Sequence, residues 1–343
     1  MRPRRTRLRD EIVTLAHGAG GKATRALVEG LFLDELQNDV LAELGDAAVA
    51  DAGGTRIALT TDSYVVTPLF FPGGDIGELA VNGTVNDLAV AGARPLFLSA
   101  GFVVEEGFAV SDLRRVAASM ARAAAAAAVT VVAGDTKVVE RGKADGLFVC
   151  TSGLGIVPAG VELGPRRIRP GDRVLTSGTI GDHGMAVMVA RGGLALEADI
   201  SSDTAPVHEL AASLATFGGA LRFMRDPTRG GVATALNELA TSSDKAVVID
   251  ERALPVRPEV AGACEILGID PLYVANEGKL LAVVAAEVAD DALAALRAHP
   301  LGRDAAIIGE IRDDPAGLVL LDTVVGGSRI VDMLVGDPLP RIC

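Results

Sequence analysis

The chain has 343 residues, 49% of them hydrophobic and 22% charged, which allows a large core and leaves room for two domains. A net charge of −13, no Trp and only 3% aromatic residues argue against nucleic acid or an anionic membrane as the main partner. Three cysteines suit a reducing cytoplasm better than a disulfide framework, and no apolar run is long enough to suggest a membrane span.

The elements follow in chain order. Arg2, Arg4, Arg5, Arg7 and Arg9 form a basic leader; Asp10-Glu11 stand where an export signal would need apolar residues, so the leader reads as solvated. Ile12 to Leu15 predicts a short strand, followed by His17-Gly18-Ala19-Gly20-Gly21-Lys22 and an amphipathic helix through Leu36; residues 1–40 are taken as leader and glycine-rich segment. From 41 to 160 strand and helix patterns alternate. Strands are predicted at 56–60, 95–104, 130–133 and 146–151. A helix over 78–91 stops at Gly92, and another over 112–129 has Ser111 as N-cap and the alanine run Ala123 to Ala128. Pro158 to Pro170, rich in Gly, Pro and Arg, marks the domain boundary. The second domain, 170–335, restarts with a strand at 173–176 and a turn from Gly178 to Gly184 that enters a helix. The last stretch, 336–343, reads as a mobile arm. Pro338 and Pro340 fix φ and remove backbone donors, which leaves Cys343 at the tip. Cys150 and Cys264 lie in apolar surroundings and read as core residues. The predicted fold class is α/β (α+β), two domains and a flexible tail.

Five aspartates fall at the edges of apolar runs: Asp46, Asp62, Asp87, Asp135 and Asp226. Each alone suits an N-cap or a turn. Together, most beside small residues, they suit Mg²⁺, which takes oxygen ligands and keeps substrate phosphates in its shell. Three glycine-bearing turns, 17–22, 178–184 and 228–231, each lead into a helical pattern whose first N–H groups could meet phosphate. None has the Walker A or dinucleotide spacing, so the ordinary nucleotide folds are disfavoured. Lys137 and Glu277 stand as single charges beside apolar runs, as ion-pair partners or as reactive groups.

Taken together, His17-Gly18-Ala19-Gly20-Gly21-Lys22, Thr60-Thr61-Asp62-Ser63-Tyr64-Val65-Val66, Asn82-Gly83-Thr84-Val85-Asn86-Asp87-Leu88-Ala89, Gly134-Asp135-Thr136-Lys137, Gly181-Asp182-His183-Gly184, Asp226-Pro227-Thr228-Arg229-Gly230-Gly231, Asn276-Glu277-Gly278 and Pro340-Arg341-Ile342-Cys343 resemble the HypE family of nickel–iron hydrogenase maturation factors. The resemblance runs in order along nearly the whole chain; only the basic leader falls outside it. It implies the two-domain ATP-binding fold of the aminoimidazole ribonucleotide synthetase type, shared with selenide water dikinase and thiamine-monophosphate kinase, with N-terminal domains that pair into a homodimer. It implies ATP and Mg²⁺. It further implies a carbamoyltransferase partner, HypF, that loads a carbamoyl group on the terminal thiol. ATP-dependent dehydration to a thiocyanate follows, and the cyanide passes to iron on a HypC–HypD scaffold.

Carried onto this sequence, the resemblance makes Cys343 the acceptor thiol, which must be a thiolate to react. Glu277 becomes the base and Lys137 a catalytic charge on phosphate. Asp62, Asp87 and Asp226 become Mg²⁺ ligands, with Asp46 and Asp135 behind them. Lys22, Gly20, Gly21, Asn86, Thr136, Thr228, Arg229, Gly230 and Gly231 become nucleotide contacts. Two other readings stay open. A selenide water dikinase would carry a reactive cysteine in the glycine-rich leader, where this chain has Gly20-Gly21. A pure carrier would bind ATP and present Cys343 without dehydrating it.

Overall fold

The computed structural model describes residues 8–192, 199–336 and 339–343; Arg2, Arg4, Arg5 and Arg7 of the leader and Pro338 of the tail lie outside the described residues. The expected strand at 12–15 does not form. Ile12 and Val13 are exposed, and the Thr14 N–H donates to His17 Nδ1, which folds 15–18 into a 3-10 turn instead. Helix α1 (Lys22–Leu27), a π-helical stretch (Val28–Phe32) and α2 (Leu33–Glu35) then run on as one helical element.

The first domain holds β1 (Ala48–Ala52), β2 (Thr55–Tyr64), a small hairpin of β3 (Phe70–Phe71) and β4 (Gly74–Asp75), α3 (Ile76–Val90), β5 (Arg94–Glu105), α4 (Val110–Ala126), β6 (Thr130–Val139) and β7 (Leu147–Ile156). The five-stranded sheet has the order β1-β2-β7-β5-β6, with β5 and β6 the parallel pair joined through α4. Helix α3 starts earlier than its apolar pattern, because the Asp75 carboxylate accepts the Gly77 N–H at 2.8 Å and the Glu78 N–H at 3.1 Å. Helix α4 starts from Ala109, so Ser111 lies inside its first turn and is not the cap. Its alanine run ends where Ala128 takes φ +53°.

One face of this sheet is covered: Tyr64, Leu98, Leu147 and Val149 pack in one core with Ile76, Leu79, Val116 and Met120 of the two helices. The other face is bare, with Leu59, Phe97 and Val132 exposed. Cys150 belongs to that bare face. Val149 takes the inward position, and the two-residue period of a strand turns its neighbour out, so the expectation that Cys150 is a core residue is corrected.

The second domain holds β8 (Arg173–Thr176), α5 (Asp182–Ala190), α6 (His208–Ala215), β9 (Leu221–Arg225), α7 (Gly231–Ser243), β10 (Ala246–Asp250), α8 (Pro258–Leu267), β11 (Leu281–Val284), α9 (Ala289–Arg297), β12 (Ala306–Arg312), β13 (Val319–Asp322) and β14 (Ser328–Val331). Its seven strands run β14-β13-β10-β12-β8-β11-β9, antiparallel except for the β10–β13 pair. Both faces are covered. Val174, Leu281 and Val283 join the core under α7, while Leu175, Ala282 and Val284 join the core under α6 and α9. That is why these strands read as unbroken apolar runs.

Helix α3 is the hinge pin between the halves, packed on β2 and β7 on one side and on α6 and β9 on the other. Among the described residues, no helix is long and apolar enough to cross a membrane.

Candidate active site

Four acidic side chains converge where the domains meet. Asp46 precedes β1, Asp62 lies in β2, Asp87 on α3 and Asp226 just past β9. Carboxylate oxygens of Asp46, Asp87 and Asp226 lie within 4.8 Å of one another. Asp62 lines a cleft with Asp87, Asp226 and Glu277, and its Oδ2 accepts the Tyr64 hydroxyl at 3.1 Å. The Thr60 hydroxyl bonds Asp87 Oδ2 at 2.6 Å and lies 2.9 Å from the Asp46 carbonyl, so the middle of β2 holds the group together.

Burial raises Asp87 and Asp226 well above the ordinary carboxylate range; for Asp87 the charge of Asp62 follows, and for Asp226 that of Asp46. Asp46 is pushed up to about 6 by burial, against the pull of Arg225, whose guanidinium sits 3.2 Å from it and 2.7 Å from Glu238. Glu277 is 3% exposed, its Oε1 has no hydrogen-bond partner among the described residues, and burial followed by the charge of Asp226 pushes it well above the ordinary carboxylate range. So many carboxylates with so little compensation fit a divalent cation with oxygen ligands. The expected set Asp62, Asp87 and Asp226 is brought together. Asp46 joins it more closely than expected, though it already shares Arg225.

The turn 228–231 leads into α7 at the same cleft. Gly230 caps the helix at φ +75°, and Gly231 follows at φ +61°. A Cβ on Gly231 would stand 2.5 Å from the Leu272 carbonyl oxygen, so glycine is required twice over there. Thr228 and Arg229 line the cleft. The Arg229 guanidinium is held firmly protonated, first by Cys343 and against burial, and it donates to the Gly18 carbonyl at 3.0 Å.

The glycine-rich segment packs on that same arginine. A Cβ at Gly20 would meet the Arg229 carbonyl oxygen at 2.8 Å, and one at Gly21 the Leu334 oxygen at 2.4 Å. Gly20 and Gly21 therefore serve close backbone approach, while Lys22 pairs with Asp332 at the surface.

Other expected contacts fall elsewhere. The Asn86 amide donates to the Ala205 and Glu277 carbonyls at 3.1 and 3.0 Å, and its oxygen accepts the Val207 N–H at 2.8 Å. It ties the domains together and is not presented to a ligand. The 178–184 turn is filled from within: Gly181 N–H bonds the Asn276 side chain at 2.7 Å, and Asp182 stands at the start of α5, bonded to Thr179.

Asp135, Thr136 and Lys137 lie within the edge strand β6, exposed, with Asp135 and Lys137 paired at 3.0 Å. Asp135 registers with Gly101, Gly101 with Cys150 and Cys150 with Ser63. Three strand steps make roughly 14 Å, so within one chain these three residues do not reach the cleft.

The tail does reach it. Residues 339–343 dock on the segment after β2: Val65 N–H donates to the Cys343 oxygen at 3.1 Å and Thr67 N–H to the Arg341 carbonyl at 3.2 Å. Leu339 and Ile342 are buried. The Arg341 guanidinium turns away from the thiol, to the Val65 carbonyl and the Asp145 carboxylate, so Arg229 is the arginine that faces Cys343. Two clefts meet at Ser63, Arg229 and Cys343, one holding the carboxylates and the other lined by Gly18, Ala19 and Tyr273. The arm expected to be mobile is thus seated in the site of its own chain. His183 and Arg191 grip it; His183 stands in the quoted segment 181–184, but nothing in the local sequence of either residue signals a hold on the tail.

A two-domain fold with paired sheets, carboxylates at the seam and a glycine-capped helix at the same cleft defines an AIR synthase related protein. The N-terminal domain of that class matches residues 44–157 and its C-terminal domain residues 169–321. Carbamoyl dehydratase HypE of Bradyrhizobium diazoefficiens is 55% identical over 341 residues, 99% of each chain. The HypE chain of a HypE–HypF complex superposes with a TM-score of 0.86 at 51% identity, over 90% of this chain and 100% of that one. A HypE crystallised with ATP gives 0.81 at 46% identity, over 97% and 100%. The chain belongs to the HypE family.

Proposed function

We propose that this chain is an ATP-dependent dehydratase acting on its own tail, converting an S-carbamoyl group on Cys343 to a thiocyanate for the iron centre of a nickel–iron hydrogenase. The observation that carries the reading is the seating of Cys343 in one cleft with Asp62, Asp87, Asp226, Arg229 and Glu277. The relatives' name, carbamoyl dehydratase, supports it, as does a HypE that binds ATP.

Dehydrating an amide requires oxide to leave, and phosphorylation turns that oxygen into phosphate. The amide oxygen takes the γ-phosphoryl group of ATP; loss of phosphate and of both amide protons then leaves the carbon–nitrogen triple bond on sulfur. Mg²⁺, held by Asp87 and Asp226 with Asp62 or Asp46, would supply neutralisation of the phosphate charge. Glu277, buried and with an unpaired oxygen, is placed to take an amide proton. Arg229 and the N–H groups at the start of α7 face the charge that develops.

HypF loads the thiol and a HypC–HypD scaffold receives the cyanide, partners the family resemblance implies; the HypE–HypF complex of a relative supports the first. The bare face of the first sheet supports a homodimer. On that reading Asp135, Thr136 and Lys137 serve the cleft of the second copy. Three cysteines outside any disulfide fit the expected cytoplasm.

The test is mass spectrometry of the C-terminal peptide after incubation with HypF, carbamoyl phosphate and Mg-ATP. A carbamoyl adduct on Cys343 that then loses one water only when ATP is present is the expected result. An adduct that ATP never dehydrates would make the chain a carrier.

A further inference from the structure

The tail is held by groups that the chemistry above does not use. His183, at the start of α5, is fully buried, and its ring meets the edge of Phe71 at a centroid distance of 5.5 Å. Its Nε2 lies 2.6 Å from the Ile342 carbonyl oxygen, 159 positions away in sequence, and its Nδ1 lies 2.8 Å from Ser202 Oγ. The tautomer follows from both ends. A carbonyl can only accept, so Nε2 carries the hydrogen. Ser202 Oγ already accepts the Thr204 N–H at 3.1 Å, which leaves its own hydrogen for Nδ1. Thr204 is anchored in turn by the Asn82 amide of α3 at 3.2 Å. The result is one directed chain of donors from the interdomain helix to the tail. Burial keeps the ring neutral, as this chain requires.

The position of the bond matters more than its strength. The Ile342 carbonyl belongs to the peptide plane that carries the Cys343 nitrogen, and Val65 N–H pins the Cys343 oxygen on the other side. With both flanks fixed, the rotation left to the thiol is the one about its Cα–Cβ bond. A second grip lies further back: Arg191 of α5's C-terminal end donates to the carbonyls of Arg341 at 2.6 Å and Thr67 at 2.8 Å, and also to that of Pro340.

We propose that His183, oriented by Ser202, is a positioning residue that latches the Ile342 carbonyl and so aims the Cys343 thiol into the carboxylate cleft. The inference rests on the dehydratase reading for its rate consequence, but not for its structural one. An unlatched tail leaves Ile342 with an unpaired carbonyl in its buried seat, a loss that shifts docking by about tenfold.

The experiment takes full-length wild type, His183→Leu, His183→Gln and Ser202→Ala. Amide hydrogen exchange is read at Val65 and Thr67, whose N–H groups the docked tail covers, alongside the single-turnover rate at which pre-carbamoylated Cys343 becomes thiocyanate with Mg-ATP. His183→Leu is expected to speed exchange at those two amides about tenfold and to slow dehydration about as much, with ATP affinity unchanged. Ser202→Ala, which keeps the ring but frees its orientation, gives a smaller shift of the same sign. His183→Gln, which restores a donor near the Nε2 position, recovers part of both. Unchanged exchange at Val65 and Thr67 in His183→Leu overturns the latch, as does faster exchange with an unaltered rate. Should His183→Leu fail to fold, Ser202→Ala decides on the same readings. If wild type never dehydrates, the functional reading fails, and exchange alone still decides whether the latch exists.

Discussion

Glu277 shows how much of the site depends on a single side chain. It sits between an unpaired oxygen of its own and a group of acids that cannot all ionise together, and burial comes first among the causes. A carboxylate whose affinity for a proton is raised this way is a stronger base than an exposed one. Glu277→Gln keeps the shape and removes the proton transfer. ATP binding and loading of Cys343 should persist, while single-turnover dehydration falls by roughly 10²–10⁴-fold; an undiminished rate would take Glu277 out of the chemistry. Glu277, Asp226 and the Thr228–Arg229 pair were legible because each sits in a short segment whose residue types already limit what it can do. The segment 181–184 was singled out too, but the contact of His183 with the tail was not legible, since its partner lies at the other end of the chain. Cys150 was misread for a different reason. In an apolar run the facing of each residue depends on which one the core takes, and here it took Val149.

The turn into α7 sets the cleft's geometry at the scale of an element. Gly231 combines a left-handed φ of +61° with carbonyl oxygens that would lie 2.5 and 2.6 Å from an added Cβ. Gly231→Ala should cost about 3 kcal/mol or more and weaken ATP binding, because Thr228 and Arg229 move with the turn. Gly262, inside α8 with nothing within 4 Å of its would-be Cβ, is the control; its alanine variant should hold or gain about 0.5–1 kcal/mol. Thermal melts of the two variants check both, and equal melting points would refute the steric argument. Helix existence was readable from apolar spacing, whereas the start of α3 was set by the Asp75 carboxylate, outside the apolar pattern, and α4 starts after Ala109 with no side-chain cap. The β6 strand ran on past the apolar residues that announced it. That put Asp135 and Lys137 in the middle of a strand and not at its end.

Across the whole molecule, the alternation of strand and helix patterns on either side of 158–170 carried the two-sheet plan, although the core under the first sheet also takes in Met185, Val260 and Val274 of the second domain. What the pattern could not show was the coverage of each face. The second sheet is sealed on both, while the first keeps Leu59, Phe97 and Val132 in solvent, with Val132 59% exposed. An apolar face on that scale calls for a partner surface. Val132→Asp should therefore convert a dimer into monomers in light scattering, with the fold intact by circular dichroism. A wild type that is already monomeric would remove the homodimer from the proposed function.

The seating of Cys343 against Val65 and His183 of its own chain has a consequence for kinetics. A substrate that is part of the catalyst cannot be diluted away from it, nor outcompeted by free small molecules of the same kind. The dehydration step is then a clock started by each loading event, indifferent to protein concentration wherever the homodimer stays assembled. Throughput belongs to whatever recharges and unloads the thiol.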